Sequence, residues 1–128
     1  MPYLVQNAVT LLSTTVVPFN SNGDTTLYTV PTSNRCVLSH AIVVAGSDAG
    51  ATTDLSIGQD GAETDFVSAI TLSNLDAQYD AVIVKPIMAD PPPKNKSYAA
   101  GIIIQANIAN QSGGATNTIY LFGFLYAV

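Results

Sequence analysis

Cys36 and His40 are the chain's single cysteine and single histidine, and their closeness invites a test for thiol–imidazole chemistry. The run Cys36 to Val44 alternates with a two-residue period, which predicts a strand with Cys36, Leu38, His40, Ile42 and Val44 on one face. Val37, Ser39, Ala41 and Val43 then occupy the other. Four residues along a strand span roughly 13 Å, whereas a nucleophile and its base must meet at about 3 Å. No dyad is expected. His40 reads as a partly buried histidine with a backbone partner, and Cys36 as a small core residue. One Cys and one His also cannot supply the several ligands of a zinc site, and a lone cysteine excludes an intrachain disulfide.

Oxygen ligands are the remaining route to a site. The segments Ser47–Asp54 and Gln59–Asp65 carry Asp48, Asp54, Asp60, Glu63 and Asp65. Loops of this kind could converge at one end of a sandwich and chelate calcium. Their spacing does not follow the EF-hand loop and acidic turns are common, so calcium stays an open alternative and no metal or other cofactor is assigned. Paired carboxylates for glycoside hydrolysis normally lie in clefts lined with aromatic rings, and the chain has no Trp. No glycine-rich phosphate loop and no Gly-x-Ser-x-Gly elbow is present. The expectation is a protein that is not an enzyme.

The elements that would position these residues are strands. Two-residue alternation recurs and helical periodicity is nearly absent. In Gly101 to Ala109, Ile102, Ile104, Ala106 and Ile108 face one way and Ile103, Gln105, Asn107 and Ala109 the other. Further strands are expected at 14–19, 26–30, 53–58, 66–72, 79–87 and 118–127, all dominated by β-branched and aromatic residues. Ser68–Gln78 is open to a short helical turn through Leu72, Leu75 and Gln78. Asn22-Gly23 and Asp60-Gly61 are hairpin candidates, and Pro91-Pro92-Pro93 must be an extended connection. About eight strands, with turns every 8 to 15 residues or so, predict one all-β domain: a single antiparallel β-sandwich of jelly-roll-like type over residues 13–128. Residues 1–12 are expected to form an extended N-terminal arm. Its apolar residues Tyr3, Leu4, Val5, Val9, Leu11 and Leu12 would dock on a neighbour or on the protein's own sheet; a loosely ordered terminus is the alternative.

Charge is scarce. Nine acidic and four basic residues make up 10% of the chain, against about 25% in an ordinary soluble domain. Such a surface is polar but electrically quiet, as the cores of protein interfaces are. A net charge of −5, with Arg35, Lys85, Lys94 and Lys96 as the whole cationic supply, argues against nucleic acid as a partner. The longest apolar run, Ile119 to Val128, is about half of what a bilayer span needs, so no membrane is expected. The N-terminal residues lack the basic and apolar regions of an export signal.

The last strand points to assembly. Tyr120, Phe122, Phe124 and Tyr126 share one face, while Ile119, Leu121, Gly123, Leu125 and Ala127 share the other, and neither face is polar. One face must pack in the core and the other against a second subunit or the chain's own arm. The aromatic face suits either role, and its four residues are the expected subunit interface.

The stretch Thr26-Leu27-Tyr28-Thr29-Val30-Pro31-Thr32-Ser33-Asn34-Arg35-Cys36, running on through Val44, resembles a pattern of small β-sandwich virion proteins of tailed phages. A Leu-Tyr-Thr-Val-Pro strand end is followed there by a polar turn, a basic residue and a long apolar strand. With the chain's size and low charge, the resemblance implies a capsid decoration (cement) protein. Such a subunit is made in the host cytoplasm and binds the major capsid protein on the outer capsid surface, across capsomer seams, often as a homotrimer. The run 118–126 also resembles the final aromatic strand of trimeric tumour-necrosis-factor and C1q-like jelly rolls. That likeness implies a trimer and supplies the alternative of a fibre-tip or receptor-binding head.

Overall fold

The computed structural model describes residues 8–114 and 116–128. Among these residues nine strands are formed: β1 (Thr10–Pro18), β2 (Gly23–Thr29), β3 (Asn34–Ala45), β4 (Asp54–Gln59), β5 (Ala62–Thr71), β6 (Ala81–Val84), β7 (Ser97–Tyr98), β8 (Ile103–Ala109) and β9 (Thr116–Ala127). All pairings are antiparallel. One sheet runs β1-β9-β3-β6, with β7 also on β3; the second runs β2-β8-β4-β5. The first is called sheet A below and the second sheet B. The chain alternates between them, so each sheet contributes one apolar face to a shared interior. That all-β, two-sheet sandwich is the architecture that the alternating pattern predicts.

Inward residues of the two sheets meet in one apolar cluster, with the buried Asn117 of β9 on the same face as Ile119 and Leu121. Leu38, Val43, Ile119 and Leu121 of sheet A and Leu55, Ile57, Ile104 and Ile108 of sheet B are all buried in one cluster. Burying a side chain of this size contributes roughly 1.5–3 kcal/mol. The face assignment for β8 matches the sequence pattern: Ile104, Ala106 and Ile108 are buried, and the residues between them are partly exposed.

The structure departs from the sequence reading at identifiable points. Asn22-Gly23 is no hairpin, because β1 lies in sheet A and β2 in sheet B; the turn carries the chain from one layer to the other. Asp60-Gly61 does make a hairpin, with Gln59 opposite Ala62 and Gly61 at φ +86°, a conformation that favours glycine. The expected strand 79–87 is confined to Ala81–Val84, since Pro86 cannot donate to a ladder. Residues 72–80 turn without helix. Leu72 and Leu75 are nonetheless buried, which accounts for their helix-like spacing.

The largest correction is in β3. Leu38 pairs with Gly123 and His40 with Phe122, so Ser39 is an extra residue, a β-bulge. Side-chain direction reverses across it. Cys36 and Leu38 are buried before the bulge; Ala41, Val43 and Ala45 are buried after it. His40, Ile42 and Val44 therefore face outward, opposite to the face shared by Cys36 and Leu38. The Leu38 carbonyl accepts a hydrogen bond from Asn95 Nδ2 at 3.1 Å. A second irregularity lies between Leu11 and Ser13 on β1, so both neighbours of β9 are irregular beside Gly123. A Cβ at 123 would collide with the Val37 carbonyl oxygen and press on Leu12. This close approach explains the glycine inside an otherwise bulky strand.

Candidate interaction surface

β9 lies between β1 and β3 in sheet A, and that position gives its two faces different fates. Ile119 and Leu121 are fully buried in the sandwich. Tyr120, Phe122, Phe124 and Tyr126 project from the opposite side and stay partly exposed. The aromatic row is thus outside the core, on the outer surface of the sheet.

Pairing registers place its neighbours. Leu11 lies beside Phe122, Thr14 beside Tyr120 and Val16 beside Thr118 on β1. On the other side, Val37 lies beside Phe124, His40 beside Phe122 and Ile42 beside Tyr120. Ile83 of β6 continues the row from Ile42. Paired residues share a face, so these side chains form one continuous outer surface. Val16 and Ile83, near its two borders, are 62% and 65% exposed. No residue that the registers place on this face carries a carboxylate. Its one full charge is Arg35, opposite Tyr126 at one end.

That end is tied down. Arg35 Nε donates to Ser97 Oγ at 2.9 Å, its Nη2 donates to the Ser97 carbonyl oxygen, and the Tyr126 hydroxyl shares a hydrogen bond with Ser97 Oγ. Two guanidinium nitrogens are thus anchored to Ser97, one through its side chain and one through its backbone. At mid-face the His40 ring stacks on Phe122 at a centroid distance of 4.7 Å and an interplanar angle of 8°. His40 Nδ1 is 2.9 Å from Ser39 Oγ. The imidazole therefore adds to the flat aromatic surface.

The four residues expected at the interface stand together in this row. The arm residues do not form one unit. Leu11 and Leu12 belong to β1, which begins at Thr10 rather than at Thr14. Leu11 faces outward beside Phe122, whereas Leu12 packs against the core. Val9 precedes the strand and is exposed. Tyr3, Leu4 and Val5 lie outside the described residues. Sequence reasoning missed Val16, His40, Ile42, Val44 and Ile83 as surface residues. A bulge hidden in β3 inverted the assignment for three of them, and no local signal marks Ser39 as its site.

The residues considered for chemistry are dispersed. Cys36 is buried, and burial raises its thiol to a pKa of about 11, so it is a neutral packing group near neutral pH. His40 is on the other face of the same strand. The acidic residues serve separate local structures. Asp48 accepts from Gly50 N at 2.8 Å in an Asx turn, and Asp54 accepts from Thr71 Oγ1 and Asn110 Nδ2. Asp65 accepts from Tyr98 and Gln59 N and pairs with Lys96 at 3.2 Å. Among the described residues, no three His, Cys, Asp or Glu groups are placed to hold a metal ion. Comparison with protein-family models, curated proteins and solved structures finds no match.

Proposed function

We propose that the chain is a structural subunit of a virion shell, a capsid decoration protein that self-associates through the outer face of sheet A. The carboxylate-free apolar surface around Tyr120, Phe122, Phe124 and Tyr126 supports this reading best. Monomeric soluble proteins rarely leave a contiguous apolar face of this kind in water. In a symmetric oligomer the same surface would be shielded by its own copies. The strand orders β1-β9-β3-β6 and β2-β8-β4-β5 favour a jelly roll, in which two four-stranded sheets are nested by paired Greek keys; the short β7 is an addition to it. Jelly rolls are frequent in viral shells, and the resemblance of Thr26 to Val44 to tailed-phage virion proteins supplies the context.

In this reading copies of the chain close through sheet A as a trimer, and the rest of each subunit meets the major capsid protein across capsomer seams. Three contacts on one rigid body act together, so each can be weak. Neither nucleic acid nor a membrane is assigned as a partner.

Light scattering of the purified chain, alone and mixed with expanded shells of its own virus, tests both parts. A trimer that co-sediments with shells and raises their thermal breakpoint is expected. A trimer without shell affinity would favour a fibre-tip or receptor-binding head. A monomer at high concentration would overturn the self-association. Phe124→Asp, which places a carboxylate in the aromatic row, is expected to dissociate the oligomer while the monomer stays folded by circular dichroism.

A further inference from the structure

A groove of about 350 Å³ runs between β5 and the connection that follows β6. One wall is the continuous run Thr64 to Ile70, seven residues that span roughly 20 Å of extended chain. β5 is the last strand of its sheet, and among the described residues no strand pairs with its outer edge. The facing wall includes Pro86, Ile87 and Pro93, and Ile87 is 85% exposed. Prolines have no N–H to offer, so this wall is apolar while the strand edge opposite is the one with hydrogen-bonding capacity.

Lys85 and Lys94 also line the groove. They are two of only four cations in a chain of net charge −5. Among the described residues the single salt bridge is Lys96 with Asp65, so neither of these two lysines has a carboxylate partner. Asp65 also lines the groove, but its carboxylate is engaged by Lys96, Tyr98 and Gln59 N. The two lysines without a carboxylate partner, the apolar part of the lining and the open strand edge together define the complement. We propose that the groove seats a short extended segment of another protein, one that alternates carboxylates with branched apolar side chains.

The occupant comes from another protein for a reason visible in the sequence. All nine acidic side chains fall between residues 24 and 90, inside the folded sandwich, and residues 1–7 carry none. The alternating pair Glu63 and Asp65 belongs to β5 itself, the strand that makes the groove's wall. Strand addition with pockets for alternate side chains is a recurrent mode of peptide capture. The lysines would add steering and register more than raw affinity.

The test is a titration of the full chain with a fluorescent pentapeptide alternating Glu with Val, beside a control with Lys in place of Glu. Saturable binding of the acidic peptide is expected, with amide shifts centred on residues 64–70 in NMR spectra. The double variant Lys85→Glu/Lys94→Glu should weaken it about tenfold, the combined scale of two exposed ion pairs. Both lysines are exposed, so that variant should melt like the parent. Ala69→Trp, at an exposed position in the strand wall, should block binding by filling the slot. No saturation at millimolar peptide, equal binding of the lysine control, or indifference to both variants would overturn the proposal. The assay needs neither shells nor an oligomer, so its failure is distinct from failure of the virion reading.

Discussion

The outer faces of the two sheets are built from the same two-residue alternation and yet are chemical opposites. On sheet B the registers bring Asp24 beside Asn107, Thr26 beside Gln105 and Asp54 beside Thr71. Two of these pairs are hydrogen-bonded: Asn107 Nδ2 donates to Asp24 at 2.7 Å, and Thr71 Oγ1 donates to Asp54 at 2.6 Å; Gln105 Oε1 finds no protein partner. On sheet A the corresponding positions hold Leu11, Val16, Ile42, Ile83 and the aromatic row, without a carboxylate. A sandwich that needed only to be soluble would have two faces like that of sheet B. The low overall charge is therefore not spread evenly. One face is polar and internally hydrogen-bonded, and the other is apolar and free of carboxylates.

The contrast depends on Ser39, and deleting that residue should have the largest effect. Without the bulge, β3 would keep one alternation throughout. His40, Ile42 and Val44 would turn inward and Ala41 and Val43 outward. The core would gain a histidine and two branched side chains in space shaped for smaller ones. Overpacking costs about 1–3 kcal/mol at a single site, and an unpartnered buried imidazole adds to it. A total of about 5 kcal/mol or more rivals the whole stability of a small domain. The expected outcome is an unfolded or molten chain by circular dichroism and NMR dispersion. Ser39→Ala keeps the extra residue and should cost no more than about 1 kcal/mol. A well-folded deletion variant would show that the bulge does not set which side of β3 meets water.

Much of this architecture was legible before any coordinates. The alternation in β8, the double-sided apolar character of β9 and the Asp60-Gly61 turn all report local geometry, which sequence encodes directly. What escaped was non-local. The bulge at Ser39 is fixed by pairing with β9 and by the close approach at Gly123, neither of which is written in residues 36–44. Asn22-Gly23 has hairpin chemistry, yet the flanking strands pair with β9 and β8 instead of with each other. The lysine groove joins β5 to a loop some 20 residues later, with no periodicity to announce it. Of the candidate site, the aromatic row was readable and its outward direction was not, because either face of β9 could have filled the core.

A milder perturbation compares the faces directly. Val16→Lys with Ile83→Lys charges two exposed points of sheet A, and Thr26→Lys with Ile103→Lys charges two outward positions of sheet B. Every copy in an oligomer closed through sheet A would carry both charges of the first pair into its interface. Self-association of the first variant should weaken at least tenfold in sedimentation or light scattering, about 1.4 kcal/mol. The second should assemble like the parent. Equal effects from the two pairs would dissolve the distinction between the faces, and an effect from the sheet B pair alone would reverse it.

The smallest effect is expected at Asp54, and it tests whether sheet B's polar face is bonded or merely wet. Hydrogen bonds from Thr71 and Asn110, the larger influences, hold this carboxyl below its ordinary value of 3.8, against a minor opposing effect of burial. A group whose folded pKa is depressed contributes stability above its unfolded pKa and loses it as pH falls through the folded one. Asp54→Asn should therefore melt slightly below the parent at neutral pH, by about 1–2 °C for an exposed site in a chain of this size. The gap should persist down to about pH 4 and close below it, as the parent's carboxyl takes up a proton and resembles the amide. Melting curves between neutral pH and strongly acidic pH would read this directly. A gap that stays constant through that range would mean that Thr71 and Asn110 hold the protonated carboxyl as well as the carboxylate, and that the face is held by shape instead of charge. No comparable acid dependence is expected from the outer face of sheet A, which presents no carboxylate to protonate.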